Sequence, residues 1–184
     1  MAAPSELPAL EARARRLETE HDWKGAAGAW ASIADVLGRG GDGERAARAW
    51  DAAGEAWRRD DRPALADKAL RTALALTEDP GLSTIVRVKR SGCLAAQGQV
   101  AEAKGCLHQA MLGPNHVQAV VADGLVDMAL LEGNASAASR WTDRIVGDSP
   151  LIAATRAYRG AQCARLAGNL GEAASLLDKA SSDL

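Results

Sequence analysis

The chain has 184 residues, with 22 lysine and arginine residues against 24 aspartate and glutamate residues and a formal net charge of -2. Hydrophobic residues make up 47% of it, but aromatic residues only 3%, a mixture that suits close helix packing and offers little for sheets. The balanced charge provides no basic stripe of the kind that binds phosphate backbones, so nucleic acid is not expected as a partner.

The N-terminal part of the sequence predicts a pair of helices followed by a loop. Leucine and alanine recur at steps of three and four residues from about Ser5 to Glu20, which indicates the first helix. Asp22 is the expected N-cap of the second helix. The glycine-rich segment 38–43 is expected to be the loop after it.

Two further pairs are predicted in the middle of the chain. Asp42 or Gly43 is expected to open the third helix, and Asp61 to cap the fourth, with Pro63 tolerated in its first turn. The fifth helix is expected from about Leu82 to Ala96, where apolar and basic residues are mixed.

Glycines mark the turns inside the last three pairs. Gly98, Gly133 and Gly168 stand where a helix must stop, and glycine enters the left-handed conformation without steric cost. Asn134 and Asn169 follow two of these glycines and are the expected N-caps of the next helices. Between pairs, the segments 113–115 and 147–150 each combine a glycine with a cap residue.

An alanine returns at one place in every pair, which indicates a repeat. The five positions are Ala26, Ala66, Ala103, Ala138 and Ala173, of which the last three are 35 residues apart. A fixed period in this range is typical of stacked helical hairpins. We therefore predict an all-α fold, a right-handed α-solenoid of about five antiparallel helix pairs or ten helices. We expect one domain over residues 1–184, with repeats at about 5–40, 42–79, 80–113, 114–148 and 149–184.

The pattern resembles the tetratricopeptide repeat (TPR), or a related helical-hairpin repeat. The five alanines match the family's best-kept second-helix alanine, the three turn glycines match its glycine, and Pro150 matches its terminal proline. Trp50, Gly54 and Trp57 match large and small positions of its first helix. Arg87 and Ser91 depart from that pattern in the third repeat, so a related helical-hairpin array stays open as the alternative.

The resemblance implies a concave groove lined by the first helix of each pair, which binds a protein partner. It implies no cofactor. The groove positions that it assigns are Glu11, Arg15, Arg48, Asp51, Glu55, Arg58, Ile85, Val88, Asp123, Asp127, Tyr158, Gln162 and Arg165. Their charges favour a peptide or helix with an apolar centre and basic residues to one side. They do not match the lysine and asparagine clamp of the family's chaperone-tail binders.

Catalytic or metal-binding signatures are not expected to carry the function. His21, His108 and His116 are isolated, and the three cysteines form no Cys-x-x-Cys pair and are interpreted as core residues in a reducing compartment. Asp123 and Asp127 share a helical face, for which an exposed or partner-facing acidic patch is favoured over a cation site. The tryptophans are interpreted as core residues rather than a platform for bases.

The leading functional hypothesis is a non-enzymatic adaptor or scaffold; the alternative is a secretion-type chaperone resembling TPR translocator chaperones. No secretory signal or membrane span is recognised, so we expect a cytoplasmic protein without membrane insertion. The excess of arginine over lysine favours a bacterial source with a GC-rich genome. Leu170, Leu176 and Leu177 cannot all be covered, so the C-terminal end is expected to form a homodimer or to bind a partner.

Overall fold

The computed structural model describes residues 7–147 and 149–182. Within these ranges the chain forms ten α-helices and one short 3-10 turn, with no β-strand. Each odd-numbered helix packs against the helix that follows it, giving five consecutive hairpins. The predicted all-α fold of ten paired helices is therefore confirmed. The chain divides into two compact units, Met1–Leu112 and Gly113–Leu184, called unit 1 and unit 2 below.

Unit 1 contains three hairpins. Their helices are α1 (Leu7–Thr19), α2 (Trp23–Arg39), α3 (Gly43–Arg59), α4 (Pro63–Leu76), α5 (Pro80–Ala96) and α6 (Val100–Ala110). Successive hairpins also pack on each other, α2 against α3 and α4 against α5. The unit is therefore a continuous stack, in which each hairpin covers the apolar side of its neighbour.

Small residues let the helices of unit 1 approach closely. The repeat alanines Ala26, Ala66 and Ala103 are completely buried. A Cβ atom on Gly54 would lie 2.7 Å from Cγ of Leu70, so α3 and α4 pack where a larger residue does not fit. Around these contacts the half-buried rings of Trp30, Trp50 and Trp57 pack against the buried clusters. Their interpretation as core residues is confirmed.

The turn inside each hairpin of unit 1 has a residue with a positive φ angle five residues before the repeat alanine, even where that residue is not glycine. His21 and Asp61 adopt positive φ angles of 57° and 55°, as Gly98 does at 76°. Asp61 is therefore not the N-cap of α4; Arg62 holds that place without a side-chain cap. The prediction was wrong because Asp61 lies five residues before its alanine, at the turn-glycine position. Asparagine and aspartate tolerate this conformation better than most residues.

Two helix boundaries in unit 1 differ from the prediction. Helix α2 continues through Gly38 to Arg39, so the connection to α3 is shorter than the predicted loop 38–43. Helix α5 begins at Pro80, two residues before the predicted start, because Asp79 caps it through the backbone N–H groups of Gly81 and Leu82. Asp22 and Asp42 cap α2 and α3 as predicted.

Unit 2 contains two hairpins and a much shorter second helix. Its helices are α7 (Gln118–Leu131), α8 (Ala135–Thr142), α9 (Pro150–Leu166) and α10 (Leu170–Ser182). A 3-10 turn at Asn115–Val117 precedes α7, so Asn115 does not cap that helix as expected. Helix α8 has 8 residues, whereas α4 in unit 1 has 14. The core between the hairpins joins Val126, Ala138, Ile145 and Cys163, with Trp141 packed beside them.

Two predicted turn features are observed in unit 2. Gly133 and Gly168 have φ angles of 68° and 85°, in the left-handed region. Asn134 caps α8 by accepting a hydrogen bond from the backbone N–H of Ala137 at 2.9 Å. Ser149 caps α9 through Ile152, with Pro150 in the first turn. These local signals set where α8, α9 and α10 begin.

Candidate functional site

The predicted groove residues of unit 1 lie on α1, α3 and α5, and most of their charges are already paired. Asp51 of α3 accepts two hydrogen bonds from Nζ of Lys89 on α5, at 2.7 and 2.9 Å. Arg48 contacts the Asp79 carboxylate, which caps α5, at 3.1 Å. Glu11 of α1 lies 3.5 Å from Arg45 of α3. Ion pairs therefore connect each first helix of this unit to the next.

Glu55 is held by two arginines of its own helix. Arg58 contacts both of its carboxylate oxygens, at 2.9 and 3.1 Å, and Arg59 contacts one of them at 3.0 Å. Partial burial raises the pKa of the Glu55 carboxyl, but the two guanidinium groups outweigh it and the net pKa is lowered. Ile85 and Val88 lie half-buried on α5. This face offers a partner few large apolar side chains.

In unit 2 the predicted acidic pair meets a residue that the sequence analysis did not select. Arg159 of α9 binds Asp123 of α7 with two parallel hydrogen bonds, from Nε at 2.6 Å and from Nη2 at 3.0 Å. Its Nη1 also donates to Asp127 at 2.6 Å and to Gln162 at 3.0 Å. The two aspartates are thus not an isolated acidic patch, because a guanidinium lies between them.

Arg159 is the most buried member of this cluster, with 14% of its side chain exposed. Burial lowers the pKa of the guanidinium, but the hydrogen bonds and charges of Asp123 and Asp127 reverse this, so the pKa is raised and the group stays charged. Because Nε, Nη1 and Nη2 all donate to acceptors in unit 2, Arg159 is already committed. It has little left to offer an anionic ligand.

Tyr158 and Gln162 continue the same network towards solvent. The amide nitrogen of Gln162 donates to the phenolic oxygen of Tyr158 at 3.2 Å. The Tyr158 side chain is nevertheless 48% exposed, and Arg165, one turn further along α9, is also exposed. The predicted residues Asp123, Asp127, Tyr158 and Gln162 therefore come together in unit 2, with Arg165 near the end of the helix.

A depression of about 530 Å³ opens beside Tyr158, bounded by α7, α9 and α10. We call it the α9/α10 depression. Its polar rim is formed by Asp123, Arg159 and Gln162, and its apolar part by Leu151, Tyr158, Ala154, Leu177 and Ala180. Leu151 is 66% exposed and Leu177 is 47% exposed. An apolar floor with a few polar groups at the edge is typical of a binding site.

The three leucines predicted at the C-terminal end have different environments. Leu170 is 69% exposed and does not line the depression, whereas Leu177 does. Leu176 is half-buried, with its Cδ1 atom 3.3 Å from the point where a Cβ of Gly160 would lie. Part of the predicted end surface thus merges with the predicted groove, because Leu177 and Tyr158 share one depression.

A second cavity, of about 670 Å³, lies between α8, α9 and α10. Small side chains line much of it, including Ala153, Ala157, Gly160 and Ala164, and Cys163 forms part of its wall. The Thr142 hydroxyl donates a hydrogen bond to the backbone oxygen of Ala138, at 3.0 Å. Charged side chains also line this cavity, namely Asp143, Arg156, Glu172 and Lys179.

The described residues contain no group of three histidine, cysteine or acidic side chains placed to hold a metal ion. Cys93, Cys106 and Cys163 are all buried free thiols, and burial raises the pKa of Cys93 to about 11. Within the same ranges, no helix has both the length and the apolar character needed to cross a bilayer. The non-enzymatic assignment stays a prediction.

Arg159 and Leu151 are the site residues that sequence reasoning missed. A signal for Arg159 exists, because Lys89 and Arg159 each directly follow a predicted groove position, Val88 and Tyr158. Each also pairs with an aspartate of the preceding first helix, Asp51 or Asp123. The signal is not general, because Arg16 and Arg59 also directly follow groove positions, Arg15 and Arg58, but form ion pairs within their own helices.

No known protein family matches the sequence, and no curated protein does. Among solved structures, the chain is similar to BtubC (BKLC) from P. vanneervenii, with a TM-score of 0.74 and 14% identity over 98% of this chain and 82% of BtubC. It is also similar to the MamA protein, with a TM-score of 0.62 and 17% identity over 97% of this chain and 92% of MamA. At these identities the likeness shows the fold, a TPR-like helical repeat.

Proposed function

We propose that this protein is a non-enzymatic adaptor that binds a partner protein at the first-helix side of unit 2. The observation that carries the proposal is the α9/α10 depression, where Leu151, Tyr158 and Leu177 leave apolar surface exposed. Exposed apolar surface with a polar rim usually marks an interaction site. Aromatic side chains with a polar tip are common anchors in such sites.

The polar rim favours one sign of charge in the partner. Asp123 of the rim and Asp127, which does not line the depression, share the guanidinium of Arg159, so the three groups carry one net negative charge. Since Arg159 is already bound to both of them, an anionic group of a partner gains little there. A partner segment with apolar and basic residues fits the rim better than an acidic tail does.

The proposal is tested by comparing which proteins the wild type and a double variant capture from a cell lysate. The immobilised chain is exposed to lysate of its source organism, and bound proteins are quantified by mass spectrometry for wild type and for Asp127→Lys combined with Tyr158→Ala. We expect a defined set of proteins to fall by about tenfold or more, since truncating an interface anchor commonly costs above 1 kcal/mol. The melting temperature should stay nearly unchanged, because both side chains are exposed.

A matched double variant controls for charge and apolar loss. Asp178→Lys with Leu131→Ala changes the same charge and removes an exposed apolar side chain, but neither residue lines the depression. In the test double, Tyr158 lines the depression and Asp127 pairs with Arg159 of its rim. Equal capture by both doubles would contradict the proposal. Unfolding of the first double would instead show that Tyr158 or Asp127 is structural.

A further inference from the structure

The residue four places after the repeat alanine, in the second helix of a hairpin, can be compared between hairpins to infer what packs against α10. Leu70, Thr142 and Leu177 each stand four residues after a repeat alanine, Ala66, Ala138 or Ala173. Leu70 is 1% exposed and Thr142 is 6% exposed, whereas Leu177 is 47% exposed. Leu107, four residues after Ala103, is fully buried, and Trp30, four residues after Ala26, is half-buried, so among the described hairpins this position is exposed in the last one alone.

In both units the first helix of the next hairpin forms part of the cover over this position, together with, for Leu70, helix α3 of its own hairpin. In unit 1, Leu70 belongs to one buried cluster with Leu82 and Val86 of α5. In unit 2, the Thr142 hydroxyl lies 3.6 Å from Sγ of Cys163 on α9. The open surface around Leu177 thus continues an interface that this chain forms twice through a helix.

Helices α5 and α9 share a residue pattern, which indicates the side chains that fit against the second helix of the preceding hairpin. Each has an aliphatic residue in its first turn, Leu82 in α5 and Ile152 in α9, and a cysteine eleven residues later, Cys93 and Cys163. Both members of each pair pack against the hairpin before them. An amphipathic helix with a large aliphatic residue and a small apolar one at this spacing matches the surface.

We propose that an α-helix of a partner protein packs into the α9/α10 depression, against Leu177 and Tyr158, as α5 packs against Leu70. The inference rests on the proposed function and specifies the form of its partner. Helices bound this way lay an apolar stripe into a groove formed by two others. An extended strand fits less well, because the described part of the protein offers no sheet edge to pair with.

The helix comes from another protein rather than from α1 of a second copy. Arg16 stands ten residues before Ala26, the place that Cys93 and Cys163 hold before Ala103 and Ala173. Its side chain is 70% exposed and forms an ion pair with Glu20. Stacking α1 on the depression would bury this guanidinium in an apolar contact, which is strongly unfavourable.

Tyr158 supplies a single spectroscopic probe for the test, because it is the only tyrosine in the chain. Protein labelled with 3-fluorotyrosine is titrated with a hydrocarbon-stapled peptide of residues 80–96, in which Cys93 is replaced by Ala. The staple is needed because an isolated 17-residue helix is marginal in water. A saturable shift of the one fluorine resonance is the expected result.

Matched variants locate the binding. Leu177→Glu should weaken the interaction by about tenfold or more, whereas Leu170→Glu changes a more exposed leucine of the same helix outside the depression and should leave the interaction unchanged. A stapled peptide with Leu82→Gln and Val86→Gln keeps the charge of the probe and should give no shift. Both protein variants alter exposed residues, so circular dichroism should show unchanged folding.

The remaining outcomes overturn the inference in distinguishable ways. No saturable shift, or a shift that survives Leu177→Glu, removes the helix as the occupant. If lysate partners still depend on Tyr158 in that case, the adaptor function stands and only the helical form of the partner fails. If light scattering shows a dimer that Leu177→Glu dissociates, the occupant is a second copy and the proposed partner helix is wrong.

Discussion

The first helices of both units are joined by similar ion pairs, but the exposed apolar residues beside those ion pairs differ between the units. In unit 1, ion pairs such as Asp51–Lys89 and Arg48–Asp79 connect successive first helices and leave few large apolar side chains exposed. In unit 2, Asp123–Arg159 makes the corresponding connection, but Leu151, Tyr158 and Leu177 lie exposed beside it. The comparison shows that the ion pairs organise both faces, whereas the uncovered apolar residues distinguish the candidate binding face.

The units also differ in how tightly their hairpins close. In unit 1, α3 and α4 approach each other at Gly54, and Trp30, Trp50 and Trp57 pack against the buried clusters. In unit 2, α8 is short, a cavity of about 670 Å³ opens beside Cys163, and one tryptophan packs nearby. Since voids forfeit packing contacts, unit 2 should be the less stable of the two when each is probed separately.

The largest expected change in the free energy of unfolding comes from adding a side chain where two helices pack closely, which we compare at Gly54 and Gly160. A Cβ on Gly54 would meet the buried Leu70 side chain at 2.7 Å, whereas a Cβ on Gly160 would meet half-buried Leu176 at 3.3 Å. Gly54→Val should therefore destabilise unit 1 by about 3 kcal/mol, because Leu70 has no room to move. Gly160→Ala should cost less than about 1 kcal/mol or stabilise slightly through helix propensity.

Urea denaturation measures both free energies of unfolding. Tryptophan fluorescence reports mainly unit 1, which holds four of the five tryptophans, and a 3-fluorotyrosine at Tyr158 reports unit 2. Equal costs for Gly54→Val and Gly160→Ala would contradict the difference in helix approach. Gly92→Ala is the control, because a Cβ there meets nothing within 4 Å.

The second comparison concerns the ion pairs between first helices. Arg159→Met leaves two carboxylates without their guanidinium, and we expect a cost of about 1–3 kcal/mol in unit 2. Lys89→Met leaves only Asp51, and with both side chains partly exposed the expected cost in unit 1 is about 0.5–1 kcal/mol. The same urea experiment, repeated in high salt, should reduce the difference if charge is its cause. A larger cost for Lys89→Met would refute the assignment of Arg159 as the central residue of its cluster.

The repeat itself could be predicted from the sequence, because its signals are local. The alanine period, the turn glycines and the caps Asp22 and Asn134 follow from short-range geometry that individual residue types satisfy. Asp61 shows the limit of this reasoning. As an aspartate, it was expected to be an N-cap, but it lies five residues before Ala66, where the hairpin turn requires a positive φ angle. It adopts that turn conformation and does not cap α4.

The candidate site was only partly predictable, because it depends on distances between hairpins. Tyr158, Gln162 and the two aspartates were selected from their repeat positions, but their connection through Arg159 spans 36 residues from Asp123. The depression was also missed as a unit, since Leu177 was assigned to a separate end surface. Its contact with the groove depends on how α10 lies beside α9, which no local pattern specifies.

Thiol labelling gives a third comparison, between buried cysteines of the two units. Burial raises the pKa of Cys93 to about 11, so little of the reactive thiolate is present at neutral pH unless the core opens. Cys163 borders the cavity in unit 2. If unit 2 opens at a free energy lower by about 1 kcal/mol, Cys163 should label about fivefold faster than Cys93 in moderate urea.

Peptide mapping after a short labelling pulse separates the cysteines. Fully unfolded protein is the control, in which Cys93, Cys106 and Cys163 should label at similar rates. Faster labelling of Cys93 than of Cys163 in the native protein would reverse the stability order inferred for the two units.

The smallest effect is expected at the connection between α4 and α5 in unit 1. The Glu44 carboxylate accepts hydrogen bonds from the backbone N–H groups of Glu78 and Asp79 and from the Thr77 hydroxyl. The bond from the Glu78 backbone is the main cause that lowers the pKa of Glu44 below its ordinary value of 4.5. In unit 2, the described part of the connection from α8 to α9 shows the Ser149 cap and no comparable carboxylate.

The sign of the pH dependence follows from the direction of this shift. A carboxyl with a lowered pKa in the folded state stabilises that state when ionised, so its contribution is complete above pH 4.5 and disappears as the pH falls through the folded value. Glu44→Gln should therefore lower the urea midpoint of unit 1 slightly at pH 7, and the difference from wild type should vanish well below pH 4.5. The fluorine signal of Tyr158 should give the same midpoint for both proteins at every pH, because Glu44 lies outside unit 2. A difference between the proteins that grows as the pH falls would show that the charge of Glu44 does not hold this connection.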